Sequence, residues 1–196
     1  MIKISKYTFF FLLFFLLIAC SSKQNTPVSE KTQIEGKKNL AKSDIMYKKA
    51  SDFLKEADYY NALIDYKILA QKYPLSKEGV QAQIMIAFIY YLQLDYNNAV
   101  YDLSKFITKY PSHENIDYAY YLLALSNYEQ INNEELDGTY NVRALENFNN
   151  LINRFPKSKY TKDSVQKIIL INENISAKHM NIGRFYQDQN KNIAAL

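Results

Sequence analysis

Ala62-Leu63-Ile64-Asp65-Tyr66-Lys67-Ile68-Leu69-Ala70-Gln71-Lys72-Tyr73-Pro74 is an alanine followed eleven residues later by an aromatic ring and then proline. The same phrase returns from Ala99 to Tyr110-Pro111 and from Ala144 to Phe155-Pro156. Equal spacing predicts equal geometry. Each phrase reads as one helix whose alanine admits a close neighbour and whose proline, lacking an N–H and clashing with the preceding turn, stops it. An all-α repeat architecture follows, and function in such a chain belongs to a surface rather than to a local catalytic motif.

Working outward, Ile45, Met46, Ala50, Phe53, Leu54 and Ala57 recur at helical spacing ahead of the first phrase. Helices are predicted from about 44, then over 61–72, 76–94 and 97–109. The polar joints Asp58-Tyr59-Tyr60 and Asp95-Tyr96 have the length that makes antiparallel helix hairpins. This register resembles the tetratricopeptide repeat. Its small, aromatic, small, large and proline positions fall on Ala50, Phe53, Ala62, Tyr66 and Pro74, then on Ala87, Tyr90, Ala99, Leu103 and Pro111. A third unit offers Ala124, Ala144, Phe148 and Pro156. The step from Ala62 to Ala99 is 37 residues and that from Ala99 to Ala144 is 45, against a usual period of about 34. The surplus is the acidic segment 132–139, which carries an Asp137-Gly138 turn signal and reads either as a contact element or as a solvated loop. Val165, Ile168, Ile169, Ile175, Ile182, Phe185 and Tyr186 trace one long further helix, and Asn192-Ile193-Ala194-Ala195-Leu196 looks like the opening of its partner. The expected domain is residues 43–196, a tetratricopeptide solenoid of antiparallel hairpins. It has about three complete repeats (44–75, 76–112, 115–157) and a partial fourth (161–196). The unfinished fourth repeat implies a shortened protein, a truncated reading frame, or a terminus covered by a partner.

At the other end, Lys3 and Lys6 precede the apolar run from Phe9 to Ile18, which has signal-peptide length and is short for a membrane span. Leu17-Ile18-Ala19-Cys20 resembles the bacterial lipobox. That resemblance implies a signal at 1–19, cleavage before Cys20, and covalent N-acyl and diacylglyceryl lipid on Cys20, against the plainer reading of an uncleaved anchor helix. Ser21 follows the cysteine where aspartate would suggest retention in the inner membrane, so the expected location is the periplasmic face of the outer membrane. Several buried acyl chains at about 0.8 kcal/mol per CH₂ hold almost permanently. Residues 20–42 are polar and read as a flexible tether.

Chemistry is sparse. Cys20 is the single cysteine, which rules out an internal disulfide and any cysteine-based metal site. Only four glycines are present and none forms a phosphate-cradling loop. His113 sits just after Pro111, where a surface or capping role outweighs that of a base, and mid-helix His179 is expected against a neighbour. The formal charge of +4 includes Lys3 and Lys6, leaving about +2 after removal of the signal, and no nucleic-acid face is implied. The reading is of a protein that is not an enzyme and that has no cofactor apart from its lipid.

Two stretches narrow the family. His113-Glu114-Asn115-Ile116-Asp117-Tyr118-Ala119-Tyr120-Tyr121 and Phe155-Pro156-Lys157-Ser158-Lys159-Tyr160-Thr161-Lys162-Asp163 strongly resemble segments of the BamD family, lipoproteins of the outer-membrane β-barrel assembly machinery. The resemblance covers the lipobox and nearly everything after Asp44. It implies a scaffold that contacts the machinery's central barrel protein and other lipoproteins, and that binds unfolded outer-membrane protein substrates. In tetratricopeptide stacks the first helix of each pair lines a groove. The register places Asp44, Tyr47, Ser51, Leu54 and Lys55 there in repeat one, Gln81, Ile84, Phe88, Tyr91 and Leu92 in repeat two, and Tyr118, Tyr121, Leu125, Tyr128 and Glu129 in repeat three. Tyrosine combines a broad apolar face with a hydroxyl at low entropic cost, which suits an extended peptide ending in an aromatic residue. The same rings could instead be core or ordinary surface. A periplasmic tetratricopeptide adaptor of cell-wall or division machinery is the alternative function; a wall lytic enzyme would need a catalytic domain for which the chain has no room.

Overall fold

The computed structural model describes residues 28–131, 138–191 and 193, with side chains from Lys42 onward. Residues 1–27, on which the expected signal at 1–19 and the expected lipidation at Cys20 fall, residues 132–137, and residues 192 and 194–196 lie outside this set. The chain divides into a unit of residues 1–40 and a unit of residues 41–196. Among the described residues every regular element is a helix: α1 (Val28–Lys55), α2 (Tyr59–Lys72), α3 (Lys77–Leu92), α4 (Tyr96–Lys109), α5 (Ile116–Tyr128), α6 (Thr139–Arg154) and α7 (Thr161–Asp188).

The helix α1 differs from the sequence reading, which puts residues 28–42 in a flexible tether. Those residues are helical. Glu30, Lys31, Gln33, Glu35, Leu40 and Ala41 favour helix, and no proline occurs between Pro27 and Pro74 to interrupt it. Tyr59, Tyr60 and Tyr96 also belong to helices rather than to joints, because Asp58 and Asp95 cap α2 and α4 directly. Their carboxylates accept the backbone N–H of Asn61 and Asn98 at 3.1 and 3.3 Å. The residues before these caps, Ala57 and Leu94, take left-handed conformations with φ of 58° and 61°.

The three aromatic-proline stops are superimposable in their backbone. Tyr73, Tyr110 and Phe155 have φ, ψ of −130°, 56°; −128°, 57°; and −131°, 60°. Each donates its N–H to the carbonyl four residues earlier, on Leu69, Phe106 and Leu151. Gly79 is buried for a related reason. A Cβ there would stand 1.9 Å from the Tyr73 carbonyl oxygen, since the turn folds back over the start of α3.

From α2 onward each helix packs on the next, and α3 also touches α5. Ala50 on α1 joins Ala62, Tyr66 and Leu69 on α2 and Ala82, Ile86 and Ile89 on α3 in one apolar cluster. Ile84, Ala87, Leu103, Phe106, Ala119, Leu122 and Leu151 build a second cluster across α3 to α6. A third joins Ala124, Ala144, Phe148 and Ile171. Every alanine at a small position of the register, Ala50, Ala62, Ala87, Ala99, Ala124 and Ala144, is fully buried, as are the large partners Tyr66, Leu103 and Phe148. Small residues therefore mark the close approaches, and each large side chain contributes about 1.5–3 kcal/mol by leaving water.

The last helix departs from its pattern. Val165, Ile169, Ile182 and Phe185 are exposed, while Ile171 and Ser164 are buried. Only a narrow stripe of α7 reaches α6, so Ile171 is fully buried, Ile168 and Ile175 pack partly buried beside it, and the rest of the apolar series stays outside the core. His179 is likewise exposed rather than packed against a neighbour.

Candidate functional site

The first helices of the repeats carry most of the residues assigned to a groove, and they gather into two patches. Near the starts of α3 and α5, Asp44, Tyr47 and Gln81 line a recess of about 430 Å³ together with Lys77, Glu78, Glu114 and Asn115. Its walls are tied across repeats. Ser43 Oγ donates to Glu78 Oε2 at 2.7 Å, Asn115 Nδ2 donates to Gln81 Oε1 at 2.8 Å, and Lys77 Nζ pairs with Glu114 at 3.1 Å. Behind it the Tyr47 ring meets the edge of the buried Tyr66 ring at 5.4 Å between centroids.

The second patch is aromatic. Phe88 on α3 lies 6.5 Å from Tyr118 on α5, and Tyr118 lies 5.5 Å from Tyr160 in the α6–α7 turn. Tyr160 stacks on Tyr121 at 4.6 Å with planes 15° apart. The hydroxyl of Tyr121 donates to Asp163 Oδ2 at 2.7 Å, so α5 and α7 are joined by a stack and a charge-assisted hydrogen bond. Tyr91 stands edge-on to Tyr96 at 5.6 Å, and its hydroxyl donates to Glu129 Oε1 at 3.4 Å. Burial, reinforced by the Glu129 carboxylate, pushes the Tyr91 hydroxyl up to about 12. Burial also raises Tyr118, and burial followed by the Asp163 hydrogen bond raises Tyr121. All three rings stay neutral donors across any physiological range, offering half-buried apolar faces with polar tips.

Other assigned residues fall elsewhere. Tyr128 packs on Phe148 at 6.3 Å and carries Lys167 Nζ at 4.4 Å from its ring centre, between α5, α6 and α7. Lys55 is exposed and pairs with Asp52 on its own helix at 2.9 Å, an ion pair of little energetic weight. Ile84 is fully buried and belongs to the core rather than to a groove. Conversely, the register alone missed Tyr160, Asp163, Lys77, Glu78 and Asn115. Tyr160 and Asp163 sit in a stretch that carried the family resemblance, but only proximity in space shows that they complete the Tyr121 contact.

His113 is a local capping residue. Its Nδ1 accepts the Asn115 N–H at 3.2 Å and its ring lies edge-on to Phe106 at 5.3 Å. Burial lowers its pKa below the ordinary value. Among the described residues no group of three or more His, Cys, Asp or Glu side chains could hold a metal ion, and no helix is long and apolar enough to cross a membrane. What the arrangement can do is bind, through rings and amides along one helix layer.

The profile of a family described as an outer membrane lipoprotein, YfiO, matches residues 40–196. The outer membrane protein assembly factor BamD of Rickettsia prowazekii is 33% identical over 151 residues, covering 77% of this chain and 60% of the relative. BamD of Neisseria meningitidis serogroup B is 31% identical over 160 residues, 76% of this chain and 60% of the relative. BamD of Caulobacter vibrioides is 27% identical over 153 residues, 78% of this chain and 50% of the relative. The chain thus spans between half and three fifths of the length of these relatives.

Proposed function

Because this chain belongs to the YfiO family of outer membrane lipoproteins, we propose that it is a non-enzymatic assembly factor for outer-membrane proteins. It works as a subunit of the β-barrel assembly machinery. Its lipid is carried on Cys20, which holds it at the periplasmic face of the outer membrane. Its partners are the central barrel protein and other lipoproteins of that machinery, and its substrates are unfolded outer-membrane proteins. The supporting names are those of relatives called outer membrane protein assembly factor.

The observation that carries the substrate reading is the aromatic layer formed by Phe88, Tyr91, Tyr118, Tyr121 and Tyr160. An extended segment bearing aromatic side chains gains apolar contact from rings already fixed by their neighbours. Little side-chain entropy is then lost on binding. The tyrosine hydroxyls and the amides of Gln81 and Asn115 offer polar contacts to the segment's backbone. Nothing in this binding mode needs a titrating base or a metal.

The test is recovery of the tagged, full-length protein from native membranes, followed by identification of what accompanies it. Co-purification of a barrel-assembly protein and partner lipoproteins is expected. Recovery of wall enzymes or division proteins instead would favour the cell-wall adaptor reading.

A further inference from the structure

The turns that follow the aromatic-proline stops meet at one edge of the unit 41–196. Leu75 to Val80 and Lys109 to Glu114 share a cleft of about 520 Å³, and Ser158 Oγ in the α6–α7 turn donates to Asp117 Oδ2 on α5 at 2.7 Å. Lys72, Lys109 and Arg154 close α2, α4 and α6 at this edge, and Lys157, Lys159 and Lys162 follow in the last of the three turns. All six are exposed, and none forms an ion pair among the described residues. Of the carboxylates nearby, Glu114 is ion-paired with Lys77, while Glu78, Asp117 and Asp163 accept hydrogen bonds from Ser43, Ser158 and Tyr121 and keep their charge, so the six unpaired cations still outnumber them. Asp44 faces the polar recess of the first-helix layer.

The opposite edge has the other sign. Glu56, Asp58, Asp95 and Glu129 lie at the joints within hairpins, where Lys55 is already paired with Asp52. Favourable interaction with helix dipoles accounts for Lys72, Lys109 and Arg154 at their helix ends. It does not account for Lys157, Lys159 and Lys162, nor for Leu75, which stands 94% exposed in the first of the basic turns.

We propose that this basic edge docks on the surface of an anionic phospholipid bilayer, with Leu75 entering the headgroup layer. Cations near a negatively charged lipid surface are attracted strongly at low salt, and one apolar side chain adds a contact that salt does not screen. The chain itself favours a bilayer as the occupant. Its cations complement an anionic surface, and Ser43, the third residue of the unit 41–196, donates to Glu78 in the first turn of α3, so the described unit itself begins at this edge. In this the inference rests on the lipid-anchor reading, since a leash from Cys20 raises the local concentration of the edge at the membrane and lets a weak contact persist.

The experiment is flotation of residues 20–196 bearing Cys20→Ala, so that no acyl chain contributes, with two kinds of vesicle. One is phosphatidylcholine alone; the other contains about one third phosphatidylglycerol. Binding to the anionic vesicles only, abolished at high salt, is expected. Lys109→Gln with Lys157→Gln and Lys159→Gln should lower partitioning at least about tenfold at unchanged helicity. The control triple Lys48→Gln, Lys55→Gln and Lys67→Gln, with the same net charge, should stay within about twofold. Leu75→Ser should weaken binding while keeping its salt dependence. No binding to anionic vesicles, equal binding to both kinds, or equal effects of the two triples overturns the proposal. Failure to find acyl groups on Cys20 in the native protein would instead count against the anchor and leave the vesicle result standing.

Discussion

The contact between Tyr121 and Asp163 is where the third repeat holds the seventh helix, and Tyr121→Phe removes it with little else. The ring keeps its 4.6 Å stack on Tyr160, but the 2.7 Å hydrogen bond to Asp163 Oδ2 is lost. A hydrogen bond to a charged acceptor is worth about 1.5–3 kcal/mol when sheltered. Both partners are only half-buried, so water compensates part of the loss and about 1 kcal/mol is the appropriate figure. In a domain of this size that corresponds to a fall in Tm of about 2–4 °C. Asp163→Asn tests the same bond from the other side, and the double variant closes a cycle whose coupling energy should also be about 1 kcal/mol. Urea unfolding followed by circular dichroism gives the four stabilities, and amide exchange along α7 reports whether docking of that helix is what weakens. A coupling energy below about 0.3 kcal/mol would refute the reasoning. Unchanged exchange in α7 alongside a destabilised protein would do so as well.

Phe148 is fully buried between α5, α6 and α7, so Phe148→Ala should cost about 3–5 kcal/mol, read as a lowered urea midpoint or a failure to fold. Gly79→Ala should destabilise in spite of alanine's better helix propensity, by about 1–3 kcal/mol, because the new methyl meets the Tyr73 carbonyl oxygen; a gain in Tm would contradict the close approach. Tyr66, Tyr91, Tyr118 and Tyr121 all have pKa values raised chiefly by burial, Tyr91 to about 12. Unfolded tyrosines lose their protons near pH 10 while these retain theirs, so stability is full below about pH 10 and falls as pH climbs toward 12. Urea midpoints that stay flat from about pH 9 to 11 would contradict it.

The periodic parts of the fold were legible because one physical cause repeats. An alanine at each helix crossing and an aromatic-proline stop recur in three hairpins, with an aspartate cap in the first two, and the stops agree within a few degrees of φ and ψ. Departures came where local composition competes with the repeat. The run from Val28 to Lys42 is polar enough to read as a tether, yet its residues favour helix and no proline interrupts it. In α7 the apolar spacing was visible, but spacing cannot say which side a neighbour covers, and only Ile171 among its large apolar residues is fully buried.

The candidate site divides in the same way. Phe88, Tyr91, Tyr118 and Tyr121 follow from register, since first-helix positions one turn apart share a face. Tyr160 in the α6–α7 turn and Asp163 in the first turn of α7 lie some 40 residues away in sequence, and no period links them to Tyr121. The charge division between the two edges was hidden for a related reason. Its cations are spread over three turns separated by whole repeats, and the small net charge of +4 conceals their segregation.

Binding of a labelled peptide ending in an aromatic residue, patterned on the final strand of an outer-membrane protein, tests the aromatic layer most directly. Fluorescence anisotropy of the unmodified protein and of the Tyr91→Ala, Tyr121→Ala double variant supplies the comparison, with circular dichroism to confirm equal helicity. Loss of two ring contacts should weaken affinity at least about tenfold, given about 1–1.5 kcal/mol for each aromatic contact. Equal affinity at equal helicity would contradict the assignment of this face to substrate.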